Sequence, residues 1–263
     1  MPSDKKWPFV NGHFFYISAK RSDCLNFLKF LGTGSAFNVK RGCTSAYFEM
    51  GTELFVIDAG EDVFKKLVLE DLFNKKTRVN FFITHIHGDH AGSLSTAIYY
   101  LYYKVFNMDK SKICVYFPHE DLREYLRMSG TTEEFYTYYI NRWDEIRPDG
   151  TDINFEYNFI DAKHVQGMNS YAITIEIPKQ KLIYYSGDNS EFNFTVKNID
   201  MYNEIYNEVT FIEKATSHMY YKKMLELTKD FSKEQKSKII LMHLEDDEEA
   251  IKLMKENGFT IAE

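Results

Sequence analysis

The sequence has few cysteines and no long hydrophobic run. Only 3 of its 263 residues are cysteine, and Cys24, Cys43 and Cys114 show neither metal-type nor redox-type spacing. Three reduced thiols are therefore predicted. No apolar run reaches the length needed to span a bilayer, and the N-terminus lacks a continuous apolar core of signal-peptide type. These absences argue against a membrane protein and predict a cytoplasmic location.

Basic residues are outnumbered by acidic residues. Lys and Arg number 32 against 39 Asp and Glu, which gives a net charge of −7 at pH 7. Proteins that grip a long nucleic acid usually carry a basic surface, because neutralising the phosphates drives that binding. An acidic chain can still carry a local basic patch, but stable binding of nucleic acid is not expected.

Repeats, low-complexity tracts and obvious linkers are missing as well. The chain is expected to divide into an N-terminal appendage over residues 1–26, with a strand-like segment at 13–20, and one domain over 27–263. Strand patterns fall near 26–37, 45–50, 53–60, 78–85, 112–117, 152–160, 170–177, 181–188, 209–213, 238–244 and 259–262. Helical patterns fall near 62–73, 93–106, 119–147, 195–206, 219–235 and 246–257. Strands in runs with interspersed helices predict a layered α/β protein with mixed sheets.

The segment from His85 to His90 holds three of the 8 histidines, grouped around one aspartate. His85 and His87 are two residues apart, so they point the same way in an extended backbone, whereas the adjacent Asp89 and His90 diverge. One strand-to-loop segment thus presents two ligand pairs, which suits two neighbouring metal ions better than one. Imidazole and carboxylate are the ligands expected for zinc, with manganese or iron as alternatives.

The series His85-Ile86-His87-Gly88-Asp89-His90 resembles the HxHxDH signature of the metallo-β-lactamase superfamily. The resemblance covers about residues 27–263 and implies an αββα sandwich, two mixed sheets flanked by helices, with a dinuclear metal site at one edge. It implies three further ligands, each at the end of a strand: His164, Asp188 and His243. One Zn²⁺ would then be held by His85, His87 and His164, and the other by Asp89, His90 and His243. Asp188 would bridge the two ions, and a shared water would supply a hydroxide nucleophile.

Three further segments resemble the ribonuclease Z-like branch, which hydrolyses phosphodiesters. They are "FLGTGSAFN" at 30–38, "VIDAGED" at 56–62 with Asp58 and Gly60, and "VTFIEKATS" at 209–217. The second resembles the Asp-x-Gly segment that supports the metal loops. The third resembles the stretch that carries a catalytic His-Glu-Ala-Thr, but Glu213 stands where that histidine should be. With the ligand Asp89, the candidate catalytic residues are therefore Glu213 and His218, either of which would replace the missing proton donor; a residue of a partner subunit is the alternative.

The second departure from that branch is the lack of room for a long tRNA-clasping arm. His164 and Asp188 are only 24 positions apart, and two predicted strands with a short turn occupy that interval. The compact chain is similar in this respect to the anti-Pycsar enzymes of phages, which open cyclic mononucleotides; if the chain is phage-encoded, it would act in the host cytoplasm. The leading hypothesis is a dinuclear phosphodiesterase for small cyclic nucleotides, in a homodimer. An RNA-processing nuclease and a non-catalytic metal-binding scaffold are the alternatives.

Tyrosine is abundant, and some tyrosines are candidates to stack on a base. They follow the histidine cluster in two groups, which are Tyr99, Tyr100, Tyr102 and Tyr103, and then Tyr136, Tyr138 and Tyr139. Most of them are expected in the core or in a subunit interface.

Overall fold

The computed structural model describes residues 26–192 and 197–263. The strand expected at 13–20, Cys24 and the start of the helix expected at 195–206 lie outside the described residues. The division of the chain at residue 26 stays a prediction. Cys43 and Cys114 are buried free thiols, as predicted for these two positions. Within the described ranges no helix combines the length and the apolar character that crossing a bilayer requires.

The first sheet has six strands that lie side by side in chain order. Its antiparallel half consists of β1 (Lys29–Gly32), β2 (Ser45–Met50) and β3 (Glu53–Ile57). From β3 onward the strands run parallel, with β4 (Arg78–Phe82), β5 (Ile113–Tyr116) and β6 (Thr137–Tyr139). Every residue of β3 is buried, as expected for a central strand covered on both faces.

The second sheet has seven strands, again in chain order. Its antiparallel part consists of β7 (Trp143–Ile146), β8 (Phe155–Asp161), β9 (Tyr171–Ile177) and β10 (Lys181–Tyr185). Its parallel part continues from β10 to β11 (Glu204–Glu208), β12 (Ile239–Met242) and β13 (Thr260–Ile261). The carboxyl ends of the parallel strands therefore meet at one edge of this sheet.

The two sheets pack face to face through aromatic side chains. Along β8, buried Phe155 and Tyr157 alternate with half-buried residues, because successive side chains of a strand point to opposite faces. The Phe155 ring lies 5.1 Å from that of Phe55 in β3, and the Tyr157 ring lies 5.1 Å from that of Phe82 in β4. Such edge-to-face pairs stabilise the sandwich beyond the apolar area they bury.

Helices cover the outer face of each sheet. They are α1 (Val63–Leu69), α2 (Gly88–Ala91), α3 (Leu94–Tyr100), α4 (Asp121–Met128), α5 (Tyr221–Leu227), α6 (Lys233–Ser237) and α7 (Glu248–Glu256). Val63 of α1 and Ile98 of α3 join the core of the first sheet. Met224 of α5 and Met254 of α7 join the core on the outer side of the second sheet. The layers are helix, sheet, sheet, helix, and the predicted αββα sandwich is confirmed.

Three predicted elements were wrong in extent or position. The span 119–147 is helical only over α4, and the chain then forms β6 in the first sheet and crosses to form β7 in the second. The helix expected up to 206 and the strand expected at 209–213 are displaced, because the strand is β11 at Glu204–Glu208. Residues 209–213 form a loop that is held by the bridge between Thr210 and Tyr220 and by hydrogen bonds from Thr210 and Phe211 to the Glu245 carboxylate. This position of β11 affects the site, because it places Glu208 at the end of the strand.

Candidate metal centre

A cluster of histidine and acidic side chains lies at one edge of the sandwich, where strands of both sheets end. His85, His87, Asp89 and His90 follow β4 and enter the short helix α2, for which His87 is the N-cap. Three other strand ends or connections bring in the distant members, His164 between β8 and β9, Asp188 after β10 and His243 after β12. The structure thus brings together all seven side chains that the sequence predicts as ligands.

The first group consists of His85, His87, His164 and Asp188, whose ligand atoms all lie within 4.8 Å of one another. His87 Nδ1 lies 3.0 Å from His85 Nε2 and 3.1 Å from His164 Nε2. Oδ2 of Asp188 lies 3.8 Å from His85 Nε2 and 3.7 Å from His164 Nε2. Four nitrogen and oxygen atoms thus surround one point.

The second group consists of Asp89, His90, Asp188 and His243, within the same 4.8 Å limit. The other carboxylate oxygen of Asp188 faces this group. Asp188 Oδ1 lies 3.3 Å from His90 Nε2 and 3.6 Å from His243 Nε2. Asp89 Oδ2 lies 3.2 Å from His90 Nε2 and 3.4 Å from His243 Nε2. Asp188 therefore stands between the groups with one oxygen toward each, the arrangement that a bridging carboxylate requires.

Asp58 orients the second group from behind. Its carboxylate lies 2.9 Å from His90 Nδ1 and accepts a hydrogen bond of 2.8 Å from the Thr84 backbone N–H. A carboxylate on one imidazole nitrogen fixes the ring and leaves the other nitrogen for a metal. Asp58 and His243 both have positive φ, 65° and 59°, a strained region for residues other than glycine that is concentrated at functional sites.

Gly60 allows this support to approach the metal loop closely. A Cβ at Gly60 would lie 2.1 Å from the backbone oxygen of Asp89, so no larger residue fits. The neighbouring Ala59 N–H donates a 2.6 Å hydrogen bond to the His90 carbonyl. The Asp58–Gly60 segment thus fixes the position of the Asp89–His90 pair.

Unpaired polar atoms indicate that a cation fits here. Nε2 of His90 and Oδ1 of Asp188 are buried and have no hydrogen-bond partner among the described residues. Leaving such groups unpaired is costly, and buried polar groups in native proteins are nearly always satisfied. A divalent cation between the two atoms would satisfy both, and the nitrogen and oxygen ligand set suits zinc, manganese or iron.

The charges of the cluster also suit a cation. Burial lowers the pKa of His85 well below its usual 6.5, and the neighbouring histidines lower it further. Burial alone would raise the pKa of Asp188, but the charges of His243 and His90 hold it well below its usual value. Neutral imidazole beside an ionised carboxylate is the protonation state in which these groups bind metals, so His85 is ready to bind. Burial alone would lower the pKa values of His90 and His243, but the charge of Asp188 raises them, so these two would release their protons on binding.

Glu208 is the site residue that the sequence reasoning missed. It is fully buried at the end of β11, and Oε2 accepts a hydrogen bond of 2.8 Å from His218 Nδ1. Asn207-Glu208-Val209-Thr210 carries Glu and Thr in the second and fourth places of the His-Glu-Ala-Thr pattern. That pattern, six residues before "EKAT" at 213–216, was the available signal. Asp188, Glu208, His218 and His243 also form a third group that could hold an ion.

The structure brings His218 into the site but not Glu213. His218 Nδ1 lies 3.6 Å from Asp188 Oδ2, and its side chain lines the cleft above the metal centre. Glu213 is exposed on the loop after β11 and is not among the described residues that line the cleft. The reason is the early end of β11, which points Glu208 inward and leaves Glu213 in the outer part of the loop.

The predicted tyrosine platforms also lie elsewhere. Tyr99, Tyr102 and Tyr103 pack on Phe135 at ring distances of 4.9, 5.1 and 6.2 Å. Tyr136, before β6, is buried. None of the seven candidate tyrosines is among the described residues that line the cleft.

Solved structures share this architecture. The metallo-β-lactamase fold protein YhfI of Bacillus subtilis matches with a TM-score of 0.69 and 16% identity, over 90% of this chain and 96% of that chain. The short form of human tRNase Z matches with a TM-score of 0.62 and 18% identity, over 90% of this chain and 96% of that chain. At these identities the likeness is one of fold. The fold is that of the metallo-β-lactamase superfamily, and the histidine and aspartate cluster forms a candidate metal centre at one edge of it.

The family follows from sequence comparison. The model of the family described as Anti-Pycsar protein Apyc1 matches residues 27–262, so the chain belongs to that family. The Anti-Pycsar protein Apyc1 of Bacillus phage vB_BveM-Goe7 is 28% identical over 240 residues, which cover 84% of this chain and 90% of that protein. A ribonuclease Z of Methanococcus maripaludis is 30% identical over 115 residues, 43% of this chain but only 36% of that enzyme's length. The predicted resemblance to the ribonuclease Z-like branch and to the anti-Pycsar proteins is confirmed.

Proposed function

We propose that the protein is a dinuclear phosphodiesterase that opens small cyclic mononucleotides to nucleoside monophosphates. The observation that carries the proposal is the place of Asp188, with one carboxylate oxygen toward each of two ligand groups. His85, His87 and His164 would hold one ion, and Asp89, His90 and His243 the other. Two divalent ions bound there would lower the pKa of a water they share and so supply hydroxide at neutral pH.

A side chain of the protein would donate a proton to the leaving group. In the reaction water adds to phosphorus, one bond between phosphorus and a ribose oxygen breaks, and that oxygen must take up a proton. We assign this transfer to His218, because Glu208 accepts from its Nδ1 and so leaves its Nε2 available as donor, which supports the role. Burial alone would lower the pKa of His218, but the hydrogen bond and charge of Glu208 raise it to about 9, which keeps the ring protonated at neutral pH.

The size of the site supports a small substrate. The cleft above the metal centre has a volume of about 840 Å³, within the usual range for sites of small ligands. The interval between His164 and Asp188 is filled by β9, the turn at 178–180 and β10, which leaves no room for a long arm. The acidic net charge of −7 also disfavours a polynucleotide. The names of the related phage proteins connect the family to Pycsar, and this supports a cyclic nucleotide as the substrate.

Product analysis across a panel of cyclic mononucleotides tests the proposal. Metal-replete protein should convert at least one of them to a nucleoside monophosphate, and the Asp188→Ala variant should not. Equal, negligible turnover by both proteins would contradict it. A generic chromogenic phosphodiester separates the alternatives, because a non-catalytic metal-binding scaffold would hydrolyse neither kind of substrate.

RNA processing is the second candidate, favoured by the match to the ribonuclease Z of Methanococcus maripaludis. Substrate length separates the two functions. Cleavage of a precursor tRNA faster than that of small diesters would establish processing and overturn our choice.

We further propose a homodimer acting in the cytoplasm, that of the host if the gene is carried by a phage. The phage source of the relatives supports this location. Light scattering on protein that elutes from a size-exclusion column tests the oligomeric state, and a monomer at working concentration would exclude a residue of a partner subunit as the proton donor.

A further inference from the structure

Three apolar side chains stand exposed at the mouth of the cleft. Phe37 is 96% exposed, Val39 91% and Ile212 54%, and all three line the cleft that opens onto the metal centre. Single exposed apolar residues are common on proteins, but a group of them around one polar site is the pattern of a ligand pocket. The metal centre accounts for the polar floor of this cleft and leaves its apolar rim without a role.

The loop that carries Phe37 and Val39 is firmly held. The Asn38 side-chain amide donates a hydrogen bond of 2.8 Å to the Leu244 carbonyl, and the Ser35 backbone N–H donates to the same oxygen at 3.0 Å. Inside the loop, Asn38 N–H donates to the Ser35 carbonyl at 2.9 Å. The backbone on both sides of Phe37 is thereby fixed while its ring projects into solvent.

The part of the rim that carries Ile212 is held in the same way. The Glu245 carboxylate accepts hydrogen bonds of 2.9 Å from the Thr210 hydroxyl and 2.8 Å from the Phe211 N–H. The Ile212 N–H donates in turn to the Thr210 hydroxyl at 3.1 Å. The loop after β11 is thus tied to the chain at Glu245, with Ile212 facing the cleft.

The hydrogen bonds that hold the two loops end at the two residues that directly follow His243. Leu244 holds the Phe37 loop and Glu245 holds the Ile212 loop. The two apolar walls are therefore attached to the residues beside His243, one through the Leu244 carbonyl and the other through the Glu245 carboxylate, and a ligand between them would meet preformed surfaces. Of the polar residues that line the cleft, Asn38 and Glu245 already have partners, because the Asn38 amide donates to the Leu244 carbonyl and the Glu245 carboxylate accepts from the Thr210 hydroxyl.

We propose that Phe37 and Ile212 form a nucleobase clamp, in which the Phe37 ring stacks on one face of the base and Ile212 contacts the other. Val39 extends the apolar wall beside Phe37. The inference rests on the proposed function for the position of the phosphate, which lies at the metal centre. Aromatic stacking binds the face of a base and needs no edge-reading hydrogen bonds, in keeping with the occupied Asn38 and Glu245 side chains.

Steady-state kinetics with paired substrates test the clamp. Phe37→Ala should raise KM for a 3′,5′-cyclic nucleotide about tenfold, the loss expected for one base stack, with little change in kcat. Ribose 3′,5′-cyclic phosphate without a base should show no such change. Phe37→Tyr keeps the ring and should resemble the wild type. Tyr103→Ala removes a different exposed aromatic side chain that does not line the cleft, and should leave both KM values unchanged.

A binding measurement gives a readout that does not depend on turnover. In Phe37→Trp protein, a nucleoside monophosphate should quench the introduced indole in a saturable way, relative to the wild type, and ribose 5-phosphate should not. Quenching without turnover of any cyclic nucleotide would keep the clamp and overturn the phosphodiesterase proposal. Turnover without quenching, and with an unchanged KM in Phe37→Ala, would overturn the clamp alone.

Light scattering on Phe37→Ala completes the test. Dissociation of a dimer, with an equal rise in KM for the nucleotide and the baseless phosphate, would make Phe37 a contact between copies and overturn the clamp. An unchanged mass with the substrate-selective effect supports it.

Discussion

Glu208 Oε2 lies 2.8 Å from His218 Nδ1, inside the edge of the sandwich where the metal centre is found. Two further bonds fix this carboxylate and its backbone, since Oε1 accepts from the Asn189 N–H at 2.6 Å and the Glu208 N–H donates to the Ser186 hydroxyl at 2.9 Å. A buried, anchored acceptor on one nitrogen of an imidazole sets the direction of the other. The pair thus has the geometry of a positioned proton donor.

The first prediction concerns this donor. His218→Ala should lower kcat on a cyclic nucleotide by about 10²–10⁴-fold, the usual contribution of general acid catalysis. A diester with a p-nitrophenolate leaving group should be affected far less, because that leaving group departs without a proton. Metal content, measured by mass spectrometry, should equal that of the wild type.

The matched control is Glu213→Gln, which changes the exposed loop carboxylate outside the cleft and should leave both rates unchanged. A loss of metal in His218→Ala would contradict the assignment, because it would make His218 a ligand of the third group. A strong effect of Glu213→Gln would indicate that Glu213, and not His218, is the proton donor.

The second prediction is a pH profile. The hydrogen bond and charge of Glu208 outweigh burial and raise the pKa of His218 from 6.5 to about 9. A general acid acts in its protonated form, so kcat/KM should persist at neutral pH and fall as the pH rises through about 9. Glu208→Gln removes the charge, which lowers the pKa of His218, so this alkaline limb should move to lower pH. An unmoved limb would show that His218 does not set it.

The third prediction concerns stability. Glu53 is fully buried, and its carboxylate accepts from the Arg78 guanidinium at 3.0 Å, the Asn80 amide at 2.9 Å and the Asp149 N–H at 2.8 Å. Glu53→Ala leaves these donors unpaired and should lower the free energy of unfolding by about 3 kcal/mol in urea titration.

The control is Glu226→Ala, which breaks an exposed ion pair with Lys229 and should cost less than about 1 kcal/mol. Equal losses in the two variants would show that the Glu53 network contributes no more than a surface pair.

The strand ends and the ligand cluster could be predicted from the sequence because each signal is local. Three histidines and an aspartate fall between His85 and His90, directly after an apolar strand pattern. Asp188 and His243 each follow a strand pattern as well. Parallel strands bring such positions to one edge, so local patterns and the family resemblance together point to one site.

The course of the chain from 119 to 147 and from 204 to 213 could not be predicted, because long-range pairing decides it. β6 has only three residues and pairs with β5, more than 20 residues earlier, whereas β7 joins the other sheet. Asn207 and Glu208 are polar yet buried within β11, which the apolar pattern does not reveal. Missing that strand end is why Glu213, which lies outside the cleft, was a candidate proton donor beside His218.

The most direct test of the account is anomalous diffraction from crystals of metal-replete protein. We predict two peaks on either side of Asp188, one within bonding reach of His85, His87 and His164 and the other of Asp89, His90 and His243. Asp188→Ala crystals should lose at least one of these peaks. A single ion, or an ion held by Glu208 and His218, would contradict the dinuclear centre and the role given to His218.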